Sequence, residues 1–150
     1  MKRTSILLWL ILALSLTTNI ILISTTVRDR RESAMRSFNR ECEDWDTFIT
    51  ALAWVESRWN DNAESPKQAV GYLQLTPVII KDANRIVGKE LYSLDCRNDR
   101  SQSIEIFNVI MDNYNPQHDM QYAMKIWNPY AKVSYHRAVM RKYQELKNKI

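Results

Sequence analysis

One carboxylate in this chain stands where the surrounding pattern requires a hydrophobic side chain. Trp45, Phe48, Ile49, Leu52 and Trp59 recur at offsets of three, four and seven, the period of an amphipathic helix, with Asp44 placed to cap its start. Glu56 falls on that stripe, four residues after Leu52 and three before Trp59. Among Trp and Leu the charged form of a carboxyl group loses its hydration, so its pKa rises, and the negative end of a helix dipole pushes the same way. A carboxyl group that stays protonated toward neutral pH is a general acid. The competing reading is structural: a Glu at the edge of the core, ion-paired with Arg58 or with a more distant Arg.

Other chemistries find little support. His118 and His136 lie far from Glu56 in sequence and beside no Ser or Cys nucleophile motif, which reads as surface or satisfied histidines. There is no phosphate-binding Gly-rich loop, no dinucleotide fingerprint and no paired-Cys metal spacing. No metal and no cofactor are expected. Cys42 and Cys96 would suit one disulfide closing a long loop if the domain is exported; otherwise they are two unpaired, partly buried thiols. The formal charge is +4. Of the 21 Lys and Arg residues, Lys2 and Arg3 belong to the N-terminal segment, which leaves the rest close to balance against 17 Asp and Glu. That argues against a nucleic-acid partner, which needs clustered cations.

A second group of residues follows the first helix. Asn60-Asp61-Asn62 is a turn-forming stretch, and after it come Ser65, Pro66, Ala69, Gly71, Gln74 and Pro77 in a fixed order. Together with Glu56-Ser57, this segment resembles the lytic transglycosylase and goose-type lysozyme family of peptidoglycan-cleaving enzymes. Its Glu-Ser pair closes the catalytic helix, and a Ser-Pro…Ala-x-Gly-x-x-Gln-x-x-Pro segment follows. Ile126-Trp127-Asn128-Pro129 is similar to the family's Ala-Tyr-Asn segment on the opposite wall of the cleft, with Trp127 where many members have Tyr and Pro129 in place of a frequent Gly. The resemblance runs from Trp45 to Tyr143. It implies a small lysozyme-like fold in which Glu56 is the catalytic acid/base. Ser57, Gly71, Tyr72, Gln74, Trp127 and Asn128 are then its substrate-binding residues: Gly71 admits the backbone close to the sugar, and Gln74 supplies hydrogen bonds near the cleft.

The elements that must position these residues are helices. With 2 Gly and 4 Pro against 5 Trp, 7 Tyr and 6 Met, the chain is poor in hairpin turns and rich in large core side chains, so the fold class is mainly α. Thr76-Pro77 is an N-cap followed by Pro at the first helical position, and the helix it opens should stop at Gly88. A helix over residues 101–114 should turn Ile104, Phe107, Met111 and Tyr114 inward. Met120, Ala123, Met124 and Trp127 mark a shorter one. Residues 130–148 should close the domain with Val133, Val139, Met140, Tyr143 and Leu146 buried and the Lys and Arg residues solvated.

The first 27 residues read as a signal anchor or a signal peptide. Behind Lys2 and Arg3, an apolar run over residues 6–16 resumes after Thr17-Thr18-Asn19 and continues to residue 23, with no charge before Arg28. The resumption favours an uncleaved transmembrane anchor. Arg28, Arg30, Arg31 and Arg36 outnumber Lys2 and Arg3, so the positive-inside tendency alone would keep the domain in the cytoplasm. Only the inferred substrate argues for the periplasm or cell wall, with secretion following if the segment is cleaved. Residues 28–43 form a charged stalk or a loose first helix, and residues 44–150 form the lysozyme-like domain.

The expected activity is cleavage of the bond between N-acetylmuramic acid and N-acetylglucosamine by a single Glu, leaving an anhydro end. A hydrolytic lysozyme would need a second carboxylate, for which Asp61 and Glu64 are the nearby choices. A module that only binds glycan, within a cell-wall-spanning secretion or phage assembly, is the non-enzymatic alternative. Expected partners are peptidoglycan glycan strands and, through the N-terminal helix, a membrane.

Overall fold

The computed structural model describes residues 2–149, and of these it describes the side chains except those of residues 2–22, Phe38 and Arg40. The chain is mainly helical, in the order α1 (Lys2–Ser57), α2 (Pro77–Val87), a short 3-10 helix (Leu94–Asn98), α3 (Arg100–Tyr114), α4 (Met120–Trp127) and α5 (Val133–Lys147). Strand pairing among the described residues is limited to isolated bridges, Glu64 with Val70 and Val70 with Leu75. The chain divides into two compact units, Met1–Cys42 and Glu43–Ile150.

In the first unit the side chains of residues 23–37 are exposed, including Ile23, Val27 and Met35. Arg28 and Arg36 both reach Glu32 at i,i+4 spacing, at 3.0 and 3.7 Å, which supports a solvated helix by a few tenths of a kcal/mol per pair. Among the described residues no helix is long and apolar enough to cross a membrane. The anchor or signal expected over the apolar run rests on residues 6–22, whose side chains lie outside the described residues.

The second unit is held by a core in which Phe48, Leu52, Leu73, Leu75, Ile106, Phe107, Met111, Met124 and Val139 are fully buried. Each such side chain contributes roughly 1.5–3 kcal/mol by leaving water. Helix starts follow local chemistry. The Thr76 side chain accepts from Ile79 N ahead of Pro77, Asp99 accepts from Gln102 N, and Asp119 accepts from Tyr122 N. Gly88, at φ 72°, closes α2 in the left-handed conformation.

Several expectations are corrected. No helix begins at Asp44; α1 runs through it, and its carboxylate pairs with Lys147 of α5. Trp59 does not belong to the buried stripe, because α1 ends at Ser57 and Trp59 follows at φ 63° with 38% of its surface exposed. Its indole N–H donates to Thr50 O at 2.8 Å. Tyr114 and Val133 are exposed rather than inward. Lys142 leaves the solvated face of α5: it is buried over the Trp54 ring, 4.2 Å from its centroid, with Glu145 at 2.7 Å. Both cysteines are free, Cys42 exposed and Cys96 buried.

Buried Asn84 ties α2 to the chain that follows it. Its amide donates to Tyr92 O at 2.8 Å and to Glu90 at 2.9 Å, while its carbonyl accepts from Leu91 N and Tyr92 N. Asn84→Ala leaves the buried N–H and carbonyl of Tyr92 without these partners, so urea unfolding should show a loss of roughly 3 kcal/mol.

Candidate active site

Glu56 is the penultimate residue of α1, one helical turn beyond fully buried Leu52, and it is half-buried. Because Phe48, Ile49 and Leu52 are committed to the core, the helix register aims Glu56 toward the same interior. There it meets Tyr135 in the first turn of α5, whose hydroxyl donates to Glu56 Oε1 in a short hydrogen bond. Burial raises the Glu56 pKa above the ordinary carboxyl value, and the hydrogen bond from Tyr135 offsets part of that rise. The Tyr135 phenol is itself raised, first by burial and then by the neighbouring carboxylate, so it remains a donor. The ion pair with Arg58 does not form; the Arg58 guanidinium lies 3.5 Å from the centroid of the Trp54 ring.

Tyr135 was missed by sequence reasoning although a signal existed. It sits four residues before Val139 and eight before Tyr143, both buried, and so belongs to their stripe. Its pairing with a residue 79 positions away was not encoded in any local pattern.

The segment from Ala63 to Thr76 packs against the end of α1. Arg58, Trp59, Gln68 and Gln74 are all at positive φ, so the chain turns sharply and repeatedly with non-glycine residues. Ser57 Oγ donates to Tyr72 O at 2.8 Å, fastening the loop to the residue next to Glu56. Gly71 N donates to Ala63 O at 2.8 Å, and the Gln74 side-chain amide donates to both Ala63 O and Gly71 O, at 3.1 and 3.0 Å. Val70 and Leu75 exchange backbone hydrogen bonds across the turn at 3.0 and 2.8 Å. Gly71 has φ +83°, and a Cβ there would lie 1.7 Å from Arg97 O. A glycine is therefore required to pass the 3-10 helix, before any question of substrate arises.

The residues expected to bind substrate divide accordingly. Ser57, Gly71, Tyr72, Gln74 and Trp127 converge on this loop, with Trp127 Nε1 donating to Leu73 O at 3.2 Å. Tyr72 is buried and covered by the Arg100 guanidinium 4.6 Å from its ring centroid. The Gln74 amide is occupied by two backbone carbonyls. Asn128, half-buried, ends α4, its N–H donating to Met124 O at 3.0 Å. Among the described residues the hydrogen bond to Glu56 comes from Tyr135 and not from Gln74 or Asn128. Of the two candidate second carboxylates, Asp61 is clamped by Arg100 through two contacts of 2.9 Å, and Glu64 is exposed. No cluster of His, Cys, Asp and Glu among the described residues would hold a metal.

A carboxyl group whose pKa is raised by burial thus sits at a helix end, next to a loop pinned by the neighbouring serine. The family model of the transglycosylase SLT domain matches residues 35–131 of the chain. The chain belongs to this family. Comparison with curated proteins and with solved structures gives no significant match. Glu56, the Ser57–Gln74 segment and the Trp127–Asn128 pair all fall inside the SLT match, whereas Tyr135 and the rest of α5 fall beyond it. SLT membership brings lytic transglycosylase-type activity on peptidoglycan at the level of the family.

A raised carboxyl pKa links stability to pH with a definite sign. The folded state binds the Glu56 proton more tightly than the unfolded chain, so this contribution is fully present below the ordinary value of 4.5 and is lost as pH rises through the higher folded value. Glu56→Gln keeps an acceptor for Tyr135 but cannot ionise. Thermal unfolding followed across pH should show that slope in the native chain, its removal in the variant, and a more stable variant at neutral pH.

Proposed function

We propose that this SLT domain cleaves the bond between N-acetylmuramic acid and N-acetylglucosamine by lytic transglycosylation, with Glu56 as its single acid/base. The observation that carries the reading is the Glu56 carboxyl group itself, half-buried at the end of α1 with its pKa raised by burial and a tyrosine hydroxyl as its hydrogen-bond donor. Glu56 delivers its proton to the glycosidic oxygen as the bond from that oxygen to the muramyl C1 breaks. The carboxylate left behind accepts the proton of the muramyl 6-hydroxyl, whose oxygen attacks C1. This closes the anhydro ring and restores the acid with no water consumed. Between the two transfers the charge on Glu56 is stabilised by Tyr135, which is why a donor beside an otherwise desolvated carboxyl is useful.

Two further observations favour this route over hydrolysis and over a silent binding module. Asp61, tied to Arg100, is committed to an ion pair rather than poised as a second base. A module that only bound glycan would gain nothing from a carboxyl group whose ionised form is costly where it sits. Trp127 and Asn128 form the wall opposite the acid in this proposal, and Gln74 and Gly71 act by shaping the loop rather than by touching sugar. The apolar run of residues 6–23 then carries the domain across or onto a membrane to reach peptidoglycan, alone or within a cell-wall-spanning assembly.

With purified full-length chain on peptidoglycan, Glu56→Gln should lower turnover by on the order of 10²- to 10⁴-fold. Mass analysis of native digests should show anhydromuramyl ends; reducing muramyl ends would place the chain among hydrolases instead. Tyr135→Phe removes the interaction that lowers the Glu56 pKa. The alkaline limb of the rate profile, where activity is lost as Glu56 ionises, should move to higher pH while kcat falls, because the transient carboxylate has lost its donor.

A further inference from the structure

The face of α5 turned away from Glu56 combines apolar side chains with unpaired cations. Pro129 and Tyr130 form the tip of a turn closed by Ala131 N donating to Asn128 O at 3.0 Å, and the Tyr130 ring stands 95% exposed. Val133 opens α5 three residues later and is 65% exposed. Arg137 and Arg141 follow Val133 at intervals of four, which keeps them on its face, and both are exposed, as is Lys132 at the N-cap. The side chains of Lys132, Arg137 and Arg141 make no hydrogen bond or ion pair among the described residues. Glu145, the one acid of α5, is taken by Lys142 and Lys149 at 2.7 and 2.9 Å. The helix therefore offers no uncommitted carboxylate to neutralise these cations.

Each part of this combination excludes a different partner. A soluble polyanion would engage the cations but has no use for aliphatic Val133, and an apolar protein groove would take Tyr130 and Val133 while stripping water from Arg137 and Arg141 without pairing them. A bilayer surface containing anionic phospholipid accepts them all. Its phosphates meet the cations, whose aliphatic stems lie along the interface, while tyrosine sits at headgroup level and valine adds apolar burial. Tyr135 lies two positions beyond Val133, on the other side of the helix, where its hydroxyl meets Glu56. Contact through the exposed face leaves that side uncovered.

We propose that the Tyr130 turn and the exposed face of α5 dock on an anionic phospholipid surface, with Lys132, Arg137 and Arg141 against headgroup phosphates and Tyr130 and Val133 at the interface. Docking in this way holds Glu56 at a fixed distance from the bilayer.

The test uses the full-length chain reconstituted in vesicles of phosphatidylcholine alone or with one third phosphatidylglycerol, so that whatever residues 6–23 contribute is common to every comparison. An environment-sensitive fluorophore on Ser134→Cys, an exposed position in the first turn of α5, reports docking in a Cys42→Ser background; Cys96 is buried. The same fluorophore on Lys89→Cys, exposed beyond α2, reports approach without docking. With phosphatidylglycerol present the Ser134 label should shift to the blue and be quenched by lipid spin-labelled at headgroup depth, both effects fading as salt is raised, and the Lys89 label should do neither. Arg137→Glu with Arg141→Glu should lower the ratio of shielded to aqueous label by at least about 25-fold, about fivefold for each cation lost, whereas Arg137→Lys with Arg141→Lys should preserve it. Tyr130→Ser with Val133→Ser should lower the ratio as well. All these positions are exposed, so circular dichroism should show the native helix content in each variant. A Ser134 label equally aqueous in both lipids, a shift shared by the Lys89 label, or one that survives the glutamate pair overturns the assignment. So does a shift produced by heparin and by neither lipid, which would give the face to a soluble polyanion. Turnover enters none of these readings, so failure of docking leaves the role of Glu56 standing, and an active Glu56→Gln leaves the docking result standing.

Discussion

The ionised form of a carboxyl group withdrawn from water is destabilised unless a donor is brought to it, and the second unit is arranged around that condition. Glu56 is placed by a helix whose Phe48, Ile49 and Leu52 are committed to the core, so the register that buries them leaves Glu56 half-buried at its end. Its donor, Tyr135, comes from the last helix of the chain. That helix must meet α1 for the hydrogen bond to form, and it does so also through Lys142 over Trp54 and Lys147 with Asp44, while its Val139 and Tyr143 are buried in the core. Packing and the electrostatics of Glu56 are therefore not separable here: the helix that completes the core also delivers the hydroxyl that tempers the carboxyl group.

The loop between α1 and α2 makes a second demand on the chain. It turns through several left-handed residues and needs a place without a Cβ where Gly71 passes the carbonyl of Arg97. Such backbone strain is held only where surrounding contacts over-determine it. Those contacts come from Ser57, Gln74 and Trp127, all directed at loop carbonyls. Residue types that a motif marks as substrate contacts act in this chain first as the fastenings of the loop.

The charged segment ahead of the second unit obeys a different rule. Residues 23–37 continue α1 with every side chain exposed and no apolar face to bury. Helical structure there draws on i,i+4 pairing between Arg and Glu, which is modest in energy and screened by salt.

What the amino-acid order determined by itself was whatever depends on near neighbours. The 3.6-residue period placed Glu56 on a buried stripe, and Thr76-Pro77 and Gly88 bounded α2, because helix registers and caps are set by residues within a few positions of one another. The ordered Glu-Ser and Gly-x-x-Gln spacing was legible for the same reason. Tertiary structure alone decided that Tyr135 rather than Arg58 answers Glu56, that Tyr72 turns inward, and that Trp59 leaves the helix for Thr50. In each case the deciding partner is remote in sequence, or a local propensity is overridden by burial. A hydrogen bond across 79 positions leaves no periodic trace in the chain that makes it.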